Sequence, residues 1–187
     1  MSRLAPALDP RRDPAAILVF ADGWLLFRGQ RLRCALGQGG VRPAREKREG
    51  DGATPAGAWP LRRILYRPDK EPPPGGPLPR APIAPEDGWC DDPADAAYNR
   101  PVRLPYPASA EEMWRKDELY DLVVVLGHND APPVPGAGSA IFLHVARPDF
   151  APTAGCVALP KPELRWLLAE APAEARLIVT PERLGGA

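Results

Sequence analysis

The sequence is poor in the residues that build metal sites and disulfide frameworks. Its 187 residues include three cysteines and two histidines, with no CxxC spacing and no histidine cluster. An odd cysteine count in this arrangement argues against a disulfide framework and a zinc site, so we expect no metal and no cofactor. Positive and negative side chains balance at 24 each, which excludes a broad basic surface for nucleic acid.

Long apolar runs are also missing. The run from residue 15 to residue 27 is broken by Asp22-Gly23, which predicts a β-hairpin and is too short for a bilayer span of about 20 residues. The first 14 residues contain no continuous apolar core of a secretory signal, and the Asp and Pro around Arg11-Arg12 argue against a twin-arginine signal. We therefore expect no membrane span and a cytoplasmic location, with the periplasm as the alternative.

The length fits one domain with a sizeable core, and we expect a domain over residues 15–187 behind an N-terminal arm over residues 1–14. The capping box that begins at Ser109 predicts a helix towards Leu119, and Pro162 suits the first turn of a second short helix. Apolar alternation between turn residues predicts strands at Ala16 to Phe20, Trp24 to Arg28, Arg31 to Leu36, Ala58 to Tyr66, Leu122 to Leu126, Ala140 to Val145, Cys156 to Leu159 and Ala175 to Val179. The expected fold class is mainly β with a few short helices.

Three further segments each have two interpretations. The Pro-rich segment from Pro68 to Pro85 is expected to be a passive surface connection rather than a lid over a cleft. The basic cluster from Arg42 to Arg48 is expected to be a solvated loop rather than a contact for an acidic peptide. A group of aromatic residues is expected to build core rather than the wall of a site: Trp89, Tyr98, Tyr106 and Trp114.

A cysteine and a histidine in neighbouring predicted strands are the strongest chemical signal. The strand from Ser139 to Val145 places Phe142 and His144 on one face, and a Pro- and Ala-rich connection then leads to Gly155-Cys156. Thiol and imidazole together form an activated nucleophile. Gly155 would let the backbone approach a substrate carbonyl, and its N–H could help to line an oxyanion hole.

Each of these residues also has a structural interpretation. Cys156 could be a buried free cysteine that acts as a small apolar group, as we expect for Cys34 and Cys90. His144 could be a core histidine with satisfied hydrogen bonds. His128, the second histidine, opens a polar loop and is the rival base, a substrate contact or a turn residue bonded to Asn129 or Asp130.

Three stretches together resemble the L,D-transpeptidase catalytic domain, the YkuD family of cysteine enzymes that act on peptidoglycan stem peptides. They are residues 50–57, which match D-G-x-T-P-x-G, the strand that ends in His144, and Gly155-Cys156 with the apolar strand after it. The resemblance spans roughly residues 15–180 and implies a single-domain β-sandwich. The family usually has a histidine before the Gly-Cys pair and an arginine two positions after the cysteine, whereas this chain has Ala154 and Ala158 there.

The resemblance implies acyl transfer in two steps. Cys156, activated by His144, would attack the carbonyl that joins the L-centre of diaminopimelate to a terminal D-alanine, and water or an amine would then accept the acyl group. The family orients this imidazole through a backbone carbonyl. Six residues are candidate contacts for the stem peptide or muropeptide: Asn99, Arg100, Arg147, His128, Asn129 and Thr153. The first three could bind its carboxylates, and one of the two arginines could replace the arginine that is missing at Ala158.

Several functions agree with this interpretation. An L,D-carboxypeptidase that trims tetrapeptides to tripeptides in muropeptide recycling suits a cytoplasmic location. An L,D-transpeptidase that forms crosslinks or exchanges D-amino acids in the wall is the alternative. Two further hypotheses remain. The protein could be a non-catalytic binder of wall fragments, or it could be a cysteine acyltransferase that acts on another substrate. The sequence does not indicate the oligomeric state.

Overall fold

A curled β-sheet forms the frame of the protein in the computed structural model, which describes residues 13–184. Most of the predicted N-terminal arm and Arg11-Arg12 lie outside the described residues. The elements are β1 (Ala16–Phe20), β2 (Trp24–Phe27), β3 (Gln30–Arg33), β4 (Val41–Pro43), a 3-10 turn (Ala44–Glu46), β5 (Thr54–Tyr66), β6 (Arg80–Pro82), β7 (Asp87–Cys90), β8 (Pro101–Arg103), β9 (Ala110–Glu112), β10 (Leu122–Leu126), β11 (Phe142–Val145), β12 (Val157–Leu159), α1 (Lys161–Glu170) and β13 (Arg176–Thr180).

The main sheet has the order β12-β11-β10-β5-β13-β1-β2-β3, with β4 and β6 also paired to β5. Bridges from Ala35 to Ala158 and from Gly37 to Thr153 join the chain beyond β3 to the region around β12. The two ends of the sheet therefore meet, and its halves enclose a core between them as in a β-sandwich. A second sheet, in the order β8-β7-β9, covers part of the outer face.

Alternation along the central strands separates two apolar clusters. In β10, Leu122, Val124 and Leu126 join the core inside the curled sheet, while Val123 and Val125 join a cluster on the opposite face. The same alternation places Leu143 and Val145 inside and Phe142 outside, as predicted from the sequence. Helix α1 closes the inner core with Leu164, Leu167 and Leu168, all fully buried.

The predicted mainly β class is confirmed, and all eight predicted strands are present, two with the predicted ends and six with shifted ends. Helix α1 has a proline in its first turn as expected. The helix predicted over residues 109–119 is wrong: Ala110–Glu112 is strand β9 instead. This segment pairs with β7, where Gly88 faces Glu112 and Trp89 faces Glu111, because the sheet edge satisfies backbone groups that an isolated short helix leaves unpaired.

The Pro-rich segment packs against helix α1 and strand β5, and its Ile83 is buried in the outer apolar cluster. Its Gly76 lies against the end of α1, where an added Cβ would come 2.1 Å from the Leu168 carbonyl oxygen. Residues Arg80–Pro82 add strand β6 to the edge of β5, and the interpretation of the segment as a passive connection stays a prediction. In the part of the chain that is described, no helix is long and apolar enough to cross a membrane.

Candidate active site

Strands β11 and β12 bring the cysteine and the histidine to one face of the sheet. The two strands are parallel, and His144 lies opposite Ala158 in the register. Cys156 precedes Ala158 by two residues, so its side chain points to the same face as that of His144. Cys156 and His144 line one cavity of about 410 Å³.

The turn before Cys156 is held by Thr153. The Thr153 hydroxyl donates to the Cys156 carbonyl oxygen at 2.7 Å and accepts the Gly155 N–H at 3.1 Å. Thr153 therefore positions the nucleophile. The Gly155 N–H, predicted as an oxyanion donor, is engaged by this hydroxyl in the structure.

Gly155 has a positive φ of 134°, a conformation that favours glycine. A Cβ here would lie 2.9 Å from the Ala53 carbonyl oxygen. Close packing of the Asp51-Gly52-Ala53-Thr54 segment against the nucleophile turn thus requires a glycine. The contact gives a structural reason for the upstream motif that the sequence alone could not supply.

A buried ion pair fixes that upstream segment. Lys47 is 2% exposed, and its Nζ lies 2.5 Å from Asp51 Oδ1. The other Asp51 contacts are the N–H groups of Arg48 and Ala53, each at 2.8 Å. The prediction that the basic cluster is a solvated loop is therefore wrong for Lys47. It holds for Arg42, Arg45 and Arg48, which are exposed.

The Cys156 thiol is enclosed by backbone groups. Its Sγ donates to the Ala140 carbonyl oxygen at 3.2 Å and accepts the Phe142 N–H at 3.3 Å. Burial, together with the charge of Glu111, raises the thiol pKa to about 12, while the Phe142 N–H and Lys47 oppose the rise. The resting nucleophile is therefore a neutral thiol.

The His144 imidazole is held by the backbone. Its Nδ1 lies 2.8 Å from the Val145 carbonyl oxygen, which only accepts hydrogen bonds, so Nδ1 carries the proton and Nε2 is the acceptor. The group that orients the ring is thus a backbone carbonyl, as the family resemblance implied. Burial lowers the His144 pKa to about 4, and the neutral ring can accept a proton at neutral pH.

Tyr120 and Glu111 complete the wall beside His144, and sequence analysis missed both. The Tyr120 ring packs edge-on against His144 at 5.4 Å between centroids, and its hydroxyl donates to Glu111 Oε1 at 2.6 Å. Burial raises the pKa of Glu111, against the opposing effects of Tyr120 and Arg115. The only sequence signal for Tyr120 was its place just before buried strand β10.

The cavity is lined by charged side chains of both signs. Three carboxylates line it, from Glu49, Asp91 and Glu111, and two guanidinium groups, from Arg115 and Arg147. Arg115 is neutralised by Asp117 through contacts of 2.9 and 2.7 Å. Arg147 is exposed and has no ion-pair partner among residues 13–184, which leaves it available to a carboxylate.

Asn99 does not reach this cavity. Its Oδ1 accepts the Trp89 Nε1–H at 2.9 Å and the Ala140 N–H at 3.1 Å. Its Nδ2 donates to the carbonyl oxygens of His128 and Asn129 at 3.2 and 2.7 Å. Because these bonds fill its capacity, Asn99 is a structural link behind the nucleophile and not the predicted substrate contact.

The predicted contacts His128, Asn129 and Arg100 also lie outside the cavity. His128 is 5% exposed, bonds the Ala137 carbonyl oxygen through Nε2 at 3.1 Å and packs against Trp59. Asn129 bonds Val134 and Gly138 within its own loop. Arg100 lines a second cavity. No cluster of three or more potential ligands in residues 13–184 could hold a metal ion.

Lowering the pH from about 6.5 to about 4 should destabilise the protein through His144. The ordinary His pKa is about 6.5 and the folded value is about 4, so the unfolded chain binds a proton in this window that the folded chain does not. The resulting decrease in the free energy of unfolding approaches about 3 kcal/mol at pH 4. Urea unfolding at several pH values should show a smaller loss in His144→Asn, and equal losses in both proteins would contradict this.

Comparison with known proteins identifies the family that the chain matches. The family model for YkuD, the L,D-transpeptidase catalytic domain, matches residues 12–179. Among solved structures, the chain is similar to the helical cell shape determining protein Pgp2 from Campylobacter jejuni, with 13% identity and a TM-score of 0.43 over 89% of this chain and 47% of Pgp2. A lysine-to-alanine mutant of Pgp2 gives 16% identity and a TM-score of 0.38 over 90% and 47%. The chain thus spans about half the length of these solved chains, and no curated protein matches it.

Proposed function

The chain belongs to the L,D-transpeptidase catalytic domain family, and from this premise we propose that it is a cysteine acyl-transfer enzyme that acts on peptidoglycan stem peptides. The observation that carries the proposal is the shared cavity of Cys156 and His144, with Nδ1 of His144 fixed by Val145 so that Nε2 is an acceptor. We also propose that residues 15–187 form the catalytic domain.

The pKa values support a general-base mechanism. Because the thiol and the imidazole are both neutral at rest, the thiol proton passes to His144 Nε2 as Sγ bonds to the substrate carbonyl carbon. The imidazolium then gives this proton to the departing amine, and a thioester remains on Cys156. Water or an amine attacks the thioester, His144 takes its proton, and the thiol is restored.

The charged walls support a peptide that carries both amino and carboxylate groups. The carboxylates of Glu49, Asp91 and Glu111 line the cavity and suit an ammonium group. Arg147 suits a carboxylate near the cleaved bond. A stem peptide that contains diaminopimelate and ends in D-alanine carries both kinds of charge.

We propose hydrolysis as the main reaction, so that the enzyme is an L,D-carboxypeptidase which converts tetrapeptide to tripeptide. In this form it would serve muropeptide recycling in the cytoplasm. Transpeptidation or D-amino-acid exchange uses the same thioester and differs only in the acceptor. Cell fractionation tests the location independently of the chemistry.

Product analysis separates the two reactions. Purified protein is incubated with disaccharide-tetrapeptide, with and without excess D-methionine, and the products are identified by mass spectrometry. Tripeptide alone supports the carboxypeptidase. Exchange of D-alanine for D-methionine, or dimer formation, would replace it with a transpeptidase.

Arg147→Gln should raise KM for the tetrapeptide by about 10- to 100-fold, because a charged hydrogen bond to a carboxylate contributes about 1.5–3 kcal/mol. Arg147 has no competing ion pair in the described chain, so the variant should fold normally. Steady-state kinetics provide the measurement. Arg103→Gln, an exposed arginine paired with Glu86 and Asp87, is the control, and equal KM values in both variants would reject the role of Arg147.

A further inference from the structure

A second cavity of about 450 Å³ lies on the same outer face of the sheet as the Cys156 cavity. It is lined by residues of β5 and β10 and by Phe142 at the start of β11, whereas the Cys156 cavity is lined by His144 of β11 and by the turn before β12. Its floor and walls include the apolar side chains of Trp89, Val125 and Phe142. A cavity of this size can enclose part of a small organic ligand.

The lining of this second cavity carries an excess of positive charge. Arg62, Arg63 and Arg100 line it together with one carboxylate, that of Asp130. Asp130 forms an ion pair with Arg62, in which the guanidinium group donates two hydrogen bonds to the carboxylate at 2.8 and 3.3 Å. Within residues 13–184, Arg63 and Arg100 have no carboxylate at ion-pair distance.

Arg63 is the less solvated of the two unpaired arginines. Its guanidinium carbon lies 5.9 Å from the centre of the Trp89 ring, and its Nε is buried with no hydrogen-bond acceptor. A partly desolvated cation without an anion is costly. The Trp89 ring offsets part of this cost, and an anion in the cavity would offset more.

We propose that this second cavity binds a carboxylate group, with Arg63 and Arg100 as its cationic contacts and Trp89 and Phe142 packed against the apolar part of the ligand. Guanidinium groups suit a carboxylate because they donate two parallel hydrogen bonds to it. The site goes beyond the proposed function, since it requires no reaction at Cys156.

The wall between the cavities connects the proposed carboxylate site to the nucleophile. Trp89 packs edge-on against Phe142 at 5.1 Å, and the Phe142 N–H donates to Cys156 Sγ. The carboxylate bound in the second cavity can therefore belong to either of two molecules. It is a distant part of the peptide that is bound at Cys156, or it is part of a separate molecule that binds beside that peptide.

Nuclear magnetic resonance of the full chain tests the carboxylate site. N-acetylglutamate is added while the Nε–H signal of Arg63, which burial protects from exchange, and the indole signal of Trp89 are followed. We expect saturable shifts of both signals. Arg63→Lys and Arg100→Gln should each weaken binding by about tenfold or more, as judged by the Trp89 signal, and the exposed Arg103→Gln should bind as the wild type does.

Arg100 is exposed, so its variant tests the site even if the Arg63 variant folds poorly. Shifts that do not saturate, or equal binding by the wild type and Arg100→Gln, would overturn the proposal. Tetrapeptide is then added to unreactive Cys156→Ala. Displacement of N-acetylglutamate assigns the carboxylate to the substrate, and simultaneous binding assigns it to a separate molecule. Loss of acyl transfer with the site intact would reject the proposed function alone.

Discussion

Cys156→Ala should lower the rate of D-alanine release from tetrapeptide by at least about 10⁴-fold, since Cys34 and Cys90 do not line the cavity and cannot replace the thiol there. The substitution removes only Sγ, whose two hydrogen bonds are to backbone groups of Ala140 and Phe142. We therefore expect a folded variant that still binds peptide. Release of D-alanine, followed by mass spectrometry, provides the measurement.

Cys34→Ala is the matched control for this result. Cys34 is also a buried free cysteine, 3% exposed, and burial raises its pKa to about 12. It lies in the inner core, on the opposite side of the sheet from the cavity. If both cysteine variants lost activity equally, the effect would come from destabilisation and not from the nucleophile.

His144→Asn should reduce kcat by about 10²- to 10⁴-fold, the usual contribution of a general base. An asparagine amide can still donate towards the Val145 carbonyl oxygen, as Nδ1 does, but it has no nitrogen that accepts the thiol proton. The loss should therefore appear in kcat more than in KM. Steady-state kinetics with tetrapeptide distinguish the two.

His128→Gln is the control for the base assignment. A glutamine amide can keep the hydrogen bond to the Ala137 carbonyl oxygen, and His128 does not line the Cys156 cavity. We expect its activity to stay within about tenfold of the wild type, short of the effect of losing a general base. A larger loss in His128→Gln than in His144→Asn would make His128 the base.

The longer buried strands could be predicted from the sequence, whereas four of the five three-residue strands could not. Strands β1 and β10 have the predicted ends because each is a run of apolar residues between polar turns. Strands β4, β6, β8 and β9 have three residues each, too few for a periodic signal. They form because a partner strand is already in place, which is tertiary information.

The candidate site also has features that could be predicted from the sequence and features that depend on tertiary structure. Alternation in β11 and the Gly-Cys motif were enough to place Cys156 and His144 together. The acidic wall was not predictable, since Glu49 and Asp91 come from distant segments and Glu111 was assigned to a helix. Asn99 shows the opposite error, because a sequence cannot show that a polar side chain already has four internal partners.

Covalent labelling of the native protein tests the account most directly. The protein is incubated with a carbapenem, an acyl donor with a strained amide, and its intact mass and proteolytic peptides are measured. We predict one adduct, on the peptide that contains Cys156, absent in Cys156→Ala and slower to form in His144→Asn. No adduct, or one on Cys34 or Cys90, would contradict the account and favour a binder of wall fragments that has kept the fold without its chemistry.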